Sequence, residues 1–423
     1  MSSWSHRGGL RWAMVLAVAV PAGVNAADFG GLSGALSESK PIFDARLRYE
    51  GVDQIPLAEE ADAETVRVRF GFETGKAWNT TFLAEGEAIV DLAGHYRDDP
   101  ARPRHLNYPA VTDPEGEEIN RMQLVNTSLP GTTVTFGRQR IVLDDQRFVG
   151  NVLWRQNEQT FDAVRIVNKP TAALTLDATY LNQVNRIFGR ESPQGRYHGD
   201  GVLANAAYQF GFGKLSAFGY WLDFDPLQGV PVAMDPERVS SETFGARLAG
   251  ERPLSRLKLA YGATFARQTD YGGNPLSFDL DYYSVELTGT YRQYSVTLGR
   301  EVMEGNGTVG FSTPLGTLHK FHGWADKFLT TPANGIDDKY VSVGYSAKGV
   351  TMLDTLAATI VYRDFKSERL SQDLGDEIDL QLQGKYQRFV GLLKLALYEA
   401  HEGRTPVAYQ DTTKFWAQLE YVW

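Results

Sequence analysis

The sequence contains no cysteine, so no disulfide framework can hold the fold and strand or helix packing must do so. It also lacks an excess of basic residues: the formal net charge is −10, which argues against nucleic acid as a partner. After residue 26 it lacks any apolar run of roughly 18 residues, the pattern of a membrane-spanning helix. Aromatic residues nevertheless make up 12% of the chain. Many aromatics combined with half-polar segments are typical of transmembrane β-barrels.

The first residues have the organisation of a secretory signal peptide. A basic start, Met1–Arg11, is followed by an apolar run from Trp12 to Val24 and by the small residues of a cleavage site ending at Ala26. The apolar run is shorter than the ~20 residues that a spanning helix needs. We therefore expect residues 1–26 to be a cleaved signal peptide of a Sec-exported precursor, and residues 27–423 to form one domain.

Alternating apolar and polar residues predict strands throughout that domain. One face of the first strand carries Phe43, Ala45, Leu47 and Tyr49. The other face carries Asp44, Arg46, Arg48 and Glu50. The same alternation recurs after Val66, Leu257 and Ile378, and period two places each set on its own side of a sheet. In a membrane barrel the apolar side faces lipid.

Short turns between paired strands predict the strand number. The candidate turns are Gly75–Asn79, Leu129–Gly131, Asn168–Pro170, Gly211–Gly213, Glu251–Ser255, Tyr291–Gln293, Ala347–Thr351 and Gln387–Arg388. Eight short turns between nine hairpins imply about 18 strands. Short turns alternate with longer polar connections, as periplasmic turns alternate with extracellular loops in outer-membrane barrels. The predicted fold is therefore all-β, a single antiparallel transmembrane β-barrel.

The last residues also favour a barrel. Phe415, Tyr421 and Trp423 belong to a strictly alternating final segment that ends on an aromatic residue. In a barrel this strand pairs with the first one and removes both sheet edges. We interpret these three aromatics as the C-terminal signal that the barrel-assembly machinery recognises.

Two longer passages resemble a known family. Gly137–Asp162 and Leu318–Gly335 are similar to segments of the alginate-export family of outer-membrane porins, and the resemblance runs from Phe43 to Trp423. It implies an 18-stranded barrel with a narrow, Arg-rich pore for anionic sugar polymers or smaller solutes. The dedicated alginate exporter is a longer chain with larger loops. A general or oligosaccharide-selective channel is therefore the favoured interpretation.

Alternation predicts which basic residues line the pore. The candidates are Arg46, Arg48, Arg67, Arg69, Arg121, Arg138, Arg140, Arg165, Arg247, Lys258, Arg363, Lys385 and Lys394. The four arginines of the first two strands should cluster, because those strands pair. Rings of Arg or Lys admit anions, and the guanidinium fork suits carboxylates. The alternative is that these arginines pair with luminal acids such as Glu85 and hold the wall together.

The loop between two strands in the first passage carries Asp144, Asp145, Arg147 and Arg155. It either folds into the mouth and narrows the pore, or locks neighbouring hairpins through salt bridges. His319 and His322 lie near Asp326 but have poor spacing for a metal site, and we predict none. We also find no Ser/His/Asp set on one face, and predict neither an enzyme nor a cofactor.

The predicted function is an outer-membrane channel for passive, anion-preferring diffusion of sugar acids, oligosaccharides or other small solutes. An exporter of an anionic exopolysaccharide such as alginate is the alternative, and it would need a periplasmic synthase complex. A barrel hydrolase would need a Ser/His pair that we do not find. The length argues against a TonB-dependent receptor, because ~397 residues cannot hold both 22 strands and a plug. Expected partners are outer-membrane lipid and lipopolysaccharide, the assembly machinery, and an anionic solute or polysaccharide.

Overall fold

The computed structural model describes residues 29–401 and 409–423, so the predicted signal peptide lies outside the described residues. Within these ranges one short helix, α1 (Phe29–Ser37), precedes 18 strands. The strands are β1 (Lys40–Gln54), β2 (Ala61–Glu73), β3 (Thr80–His95), β4 (Gly116–Asn126), β5 (Thr132–Gln139), β6 (Thr160–Asn168), β7 (Leu174–Asn185), β8 (Arg196–Phe210), β9 (Gly213–Phe224), β10 (Ser241–Leu254), β11 (Leu257–Asp270), β12 (Asp279–Tyr291), β13 (Tyr294–Met303), β14 (Ile336–Val350), β15 (Leu353–Lys366), β16 (Asp373–Tyr386), β17 (Phe389–Glu399) and β18 (Thr412–Val422). Single 3₁₀ turns lie in described loops at Val232–Met234, Pro236–Val239 and Leu318–Lys320.

Each strand pairs antiparallel with its neighbour in sequence, and β18 returns to pair with β1. That last ladder runs from Asp44 opposite Val422 to Gln54 opposite Thr412. The sheet is therefore a closed barrel, which confirms the predicted fold class and leaves no unpaired strand edge. No helix among the described residues has the length and apolar character needed to cross a membrane.

All eight predicted short turns join the strand pairs expected of them, but two are wrongly bounded. β10 continues to Leu254, and β14 continues to Val350, so residues 251–254 and 347–350 pair in ladders. Pro253 and Gly349 suggested earlier turns. Both residues are tolerated at these strand ends because the ladder is about to finish there.

The two faces of the barrel differ in chemistry. Apolar side chains cover the outer face and are well exposed, among them Leu47, Phe70, Phe265, Leu298 and Leu419. α1 lies at the short-turn end, where the amide of Gly75 donates a hydrogen bond to the carbonyl of Ala35 (2.9 Å). The opposite end carries the longer loops, and we call it the loop end.

The main hydrophobic core lies inside the barrel, where side chains of two long loops, residues 140–159 and 304–335, pack against inward-facing side chains of the strands. Ile141, Phe311 and Leu315 are almost fully buried there. The aromatic ring of Phe148 packs 4.9 Å from that of Phe218 and 5.2 Å from that of Tyr282, both on the wall. The loops therefore fold into the lumen and pack against the inner face.

Candidate functional site in the barrel lumen

The four arginines of β1 and β2 meet on the inner face, as alternation predicts. Arg46 lies directly opposite Arg67 in the ladder that joins the two strands. All four side chains, however, are nearly inaccessible: Arg46 is 5% exposed, Arg48 1%, Arg67 0% and Arg69 3%. They face the lumen but do not reach its open surface.

The 140–159 loop covers this arginine cluster. Arg46 donates to the carbonyl of Leu153 (3.2 Å) and Arg48 donates to the carbonyl of Trp154 (2.6 Å). Arg69 donates to the carbonyl of Gln156 (3.3 Å). The cluster thus satisfies loop carbonyls that would otherwise be buried without donors, which is costly.

Carboxylates balance the charge of the cluster. Glu420 accepts from Arg46 (2.9 Å) and Arg67 (3.0 Å). Asp113 lies 3.3 Å from Arg48. Asp44 pairs with Arg67, and Glu87 pairs with Arg69. A folded-in loop and acids therefore already occupy the donors of these four arginines, so the prediction that they line the open pore is wrong. Their contribution to anion selectivity stays a prediction.

The same loop reaches strands far from its ends. Asp144 accepts from Lys214 (2.9 Å) and Ser216 (2.8 Å) on β9, and Asp145 pairs with Arg247 (2.9 Å) on β10. The loop therefore folds into the lumen. Its salt bridges reach nearby strands, as between Arg140 and Glu85 on β3 (3.6 Å), as well as the more distant β9 and β10. That the loop narrows the pore stays a prediction.

Arg147 and Arg155 tie the loop to two further parts of the wall. Arg147 pairs with Glu301 on β13 (2.5 Å) and donates to Nε2 of His322 (2.7 Å). Arg155 pairs with Glu50 on β1 (3.0 Å) and with Asp326 of the 304–335 loop (3.0 Å). The 140–159 loop consequently spans the lumen between two parts of the wall.

The 304–335 loop is fixed through Asp326. Its carboxylate lies 2.7 Å from Nδ1 of His319 and 3.0 Å from the ammonium of Lys414. Burial alone would raise the pKa of Asp326, but His319, Lys414 and Arg155 hold that pKa well below its usual value. These partners therefore stabilise the anionic form of Asp326, which joins both loops to the wall.

The two histidines do not share a metal site. His322 instead approaches Glu301 and Asp338, and the three possible ligand atoms lie within 4.8 Å of one another. Arg147 already pairs with Glu301, and Arg363 pairs with Asp338 (2.5 Å). Two guanidiniums so close would repel a divalent cation, so this group does not fit a metal.

A second set of cations lines the lumen differently. Five basic residues between β4 and β10 form ion pairs, and the basic side chain of each pair is half-buried or exposed. We name these five residues the cation track: Arg121, Arg140, Arg165, Lys214 and Arg247. Lys214 lies near the short-turn end, whereas Arg140 begins the loop at the other end. The track therefore follows the inner wall along the barrel axis.

Within the track the cation is generally the more accessible partner. The side chain of Arg140 is 30% exposed and that of its partner Glu158 is 0% exposed. Arg121 and Arg165 follow the same rule, and their partners lie on adjacent wall strands. Lys214 follows it too, whereas Arg247 and Asp145 are equally accessible. The lumen wall here presents guanidinium and ammonium groups, with carboxylates behind them.

Five other predicted pore residues lie elsewhere. Arg138 is opposite Met122, an outer-face residue, and pairs with Asp162 (2.7 Å), so it belongs to the outer face. Phe136, two residues earlier in β5, also faces outwards, so strict alternation from that residue gives Arg138 the outer face. Arg363 and Lys394 face inwards but are buried. Lys258 and Lys385 are exposed and lie on the inner face near the short turns, in line with the alternation.

A cavity of about 610 Å³ lies at the loop end, between the 140–159 loop, the 304–335 loop and their neighbours. Its wall combines apolar side chains such as Leu276, Val309 and Phe311 with the basic Lys327. Lys327 is 8% exposed and has no ion pair or hydrogen bond among the described residues; its ammonium lies 5.8 Å from the ring of Tyr398. Burial, reinforced by Lys414, lowers the pKa of Lys327 to about 7.

A second cavity, of about 670 Å³, lies beside the 96–115 and 186–195 loops and has an acidic lining. Arg104 pairs with Asp98 there (2.5 Å) and Arg102 with Asp99 (3.3 Å). Asp91, Glu115 and Glu118 also line it without an ion pair among the described residues. The carboxylates of this lining would attract cations rather than anions.

Sequence reasoning missed two residues of this site. Lys214 could have been found by alternation, because its neighbour Leu215 faces outwards. Lys327 gives no such signal, since its position depends on how the 304–335 loop folds into the barrel.

No protein-family model and no curated protein matches this sequence. Solved structures do match. OccK3 (OpdO) of Pseudomonas aeruginosa aligns over 94% of this chain and 99% of its own, with a TM-score of 0.66 and 15% identity. OpdK of the same organism, solved with vanillate, aligns over 92% of this chain and 100% of its own, with a TM-score of 0.67 and 14% identity. OccAB4 of Acinetobacter baumannii aligns over 92% of this chain and 99% of its own, with a TM-score of 0.68 and 13% identity. The chain therefore shares the barrel fold of these proteins.

Proposed function

We propose that this protein is an outer-membrane channel for passive diffusion of small solutes, with a preference for anions such as sugar acids, oligosaccharides bearing carboxylates, and other organic acids. The exposed apolar outer face supports a membrane location, because water would disfavour so large an apolar surface. The likeness in fold to OpdK, an outer membrane protein of Pseudomonas aeruginosa, supports the same location.

The cation track is the observation that carries the anion preference. In four of the five ion pairs of the track, those of Arg121, Arg140, Arg165 and Lys214, a solute in the lumen meets the cation before its carboxylate. The local potential there favours an anion although the whole chain is negative. The arrangement also suits transient binding. A guanidinium that already pairs with a carboxylate binds a second one weakly enough to release it.

The two passages that resemble the alginate-export family coincide with the two loops that fold into the lumen. Membership of that family remains part of this proposal, and so does the exporter alternative. Loops that pack across the lumen favour small solutes over a polymer, because a polymer needs a wide continuous passage. The OpdK structure holds vanillate, an organic carboxylate, and supports an acid as the solute.

The proposal includes Sec export, lipid and lipopolysaccharide contact, and recognition of the final strand by the assembly machinery. Phe415 and Tyr421 lie on the outer face of β18, and the amide of Trp423 donates to the carbonyl of Phe43 (3.0 Å). The closing strand is thus joined to β1 up to its last residue. A catalytic role is not proposed, since the lumen residues that the structure describes form ion pairs and give no sign of an activated nucleophile.

Planar-bilayer recording of the purified, refolded protein tests the proposal. We expect discrete conductance steps and a reversal potential of the sign that anion preference gives in a KCl gradient. Refolded barrel that gives no steps would contradict the channel. Cation preference would contradict the role of the cation track and would favour the acidic cavity as the selective region.

A further inference from the structure

Lys394 on β17 points into the barrel but is only 5% exposed, because three indole rings surround it. Its ammonium lies 3.7 Å from the ring centroid of Trp324, 4.2 Å from that of Trp154 and 5.4 Å from that of Trp416. Trp154 belongs to the 140–159 loop, Trp324 to the 304–335 loop and Trp416 to β18. One ammonium thus joins both lumen loops to two wall strands by cation–π contacts.

His319 completes this group. Its Nε2 lies 2.7 Å from the ammonium of Lys394, and its ring stacks on Trp154 at 4.5 Å with an interplanar angle of 4°. We name Trp154, His319, Trp324, Lys394 and Trp416 the lysine–tryptophan lock.

The tautomer of His319 follows from its neighbours. A lysine ammonium can only donate, so Nε2 must accept and Nδ1 must carry the hydrogen, which it donates to Asp326 (2.7 Å). Burial lowers the pKa of His319 to about 3, so the ring is neutral, as this arrangement requires. A relay of hydrogen bonds therefore runs from β17 through the lock to Asp326.

The lock excludes the pore-lining role predicted for Lys394. Its ammonium is enclosed by three indole rings and a histidine. A solute in the lumen could reach the ammonium only if one of the two loops moved. The same contacts also stabilise the position of the loops. A cation taken out of water requires such partners, and separating a loop from the wall would leave the ammonium with fewer of them.

We propose that Lys394 is a positioning residue that holds both lumen loops against the wall and thereby sets the width of the passage. The effect on transport rests on the proposed channel function, but the position of the loops does not. A test of loop position must therefore be independent of conductance.

The absence of native cysteine permits such a test. Ala325 follows Trp324 and is 2% exposed, and its interaction with Glu377 uses the backbone amide, so Ala325→Cys gives a single buried reporter. In the full chain refolded in detergent, we expect a charged maleimide to label this cysteine slowly. Adding Lys394→Met should accelerate labelling by about tenfold or more, because the cation–π contacts are lost.

Lys348→Met in the same reporter background is the matched control, since Lys348 is an exposed lysine of the wall strand β14. It should leave labelling unchanged. Lys394→Arg keeps a cation that can lie over the same rings, and should label more slowly than Lys394→Met. If Lys394→Met does not fold, Trp324→Leu removes one contact of the lock and should accelerate labelling in the same way.

Bilayer recordings of the same variants supply the transport readout: Lys394→Met should show a larger or noisier open conductance than the parent. Unchanged labelling in folded Lys394→Met would overturn the lock. Faster labelling with unchanged conductance would overturn its control of the passage. If Lys394→Met labels faster than the parent but the parent itself conducts no current, the lock is supported and the proposed channel is contradicted.

Discussion

Two groups of basic residues face the interior of this barrel, and they differ in what covers them. The arginine cluster of β1 and β2 is buried beneath the 140–159 loop, whereas the cation track from β4 to β10 stays accessible. Both groups have the same alternation and similar acid partners. The difference shows that an inward-facing arginine can serve either as loop support or as a lumen surface, and that the loop decides which.

We expect the largest difference between the two groups when a buried guanidinium of the arginine cluster is removed. Arg67→Met leaves Asp44 and Glu420 close together with less positive charge between them. Losing one partner of a buried pair costs about 3–5 kcal/mol, so we expect the free energy of unfolding to fall by that amount. Equilibrium denaturation of the refolded barrel in detergent measures it. A fall no larger than that of Arg165→Met, a residue of the accessible track, would show that the two groups are equivalent.

The next effect concerns transport rather than stability. Arg121 and Arg165 pair with acids on the wall, so Arg121→Gln with Arg165→Gln leaves the loop attached. We expect gluconate uptake relative to glucose to fall about two- to fivefold, which corresponds to about 0.4–1 kcal/mol. Liposome swelling measures both rates.

Arg267→Gln with Arg300→Gln is the control for that double variant. These arginines also form ion pairs, but they lie on the outer face among apolar residues. Their loss should leave the ratio of gluconate to glucose uptake unchanged. An equal fall in both double variants would assign the effect to net charge rather than to the lumen.

A smaller effect should come from pH. Lys327 is charged below its pKa of about 7 and neutral above it, so its contribution to anion preference is present at lower pH and is lost as pH rises through 7. Its surroundings include Lys414, Glu377, Asp326 and Asp411, of which Asp326 stays ionised in this range. The reversal potential should show this step, and Lys327→Met should remove it. A step of the same size in Lys327→Met would assign the titration to another group.

The smallest effect is expected at the short-turn end. Lys258 and Lys385 are well exposed there, and water and salt screen such charges. Replacing both with methionine should reduce anion preference slightly at low ionic strength and have no effect at high ionic strength. A reduction that persists in concentrated salt would place the selective region at this end instead.

Much of the barrel could be predicted because its determinants are local. Alternation around Phe43, Val66 and Leu257 identifies strands and faces, and the short turns give the strand number. The terminal Phe415–Trp423 segment predicts closure with the first strand, which the β1–β18 ladder confirms.

The site was harder to predict because its determinants are distant in sequence. Arg48 reaches Trp154, and Arg147 reaches His322, only after the loops have folded inwards. Alternation assigns a face but not what covers it, so it could not separate the arginine cluster from the cation track. The lysine–tryptophan lock, which joins residues from four elements, had no signal in any one of them.

One measurement tests the central claim most directly: the reversal potential in a KCl gradient of the parent channel beside the Arg121→Gln, Arg165→Gln double variant. We predict anion preference in the parent and a clear shift towards cations in the double variant, because the acids behind the track lose their partners. An unshifted reversal potential in a folded, conducting double variant would contradict the assignment of selectivity to the cation track.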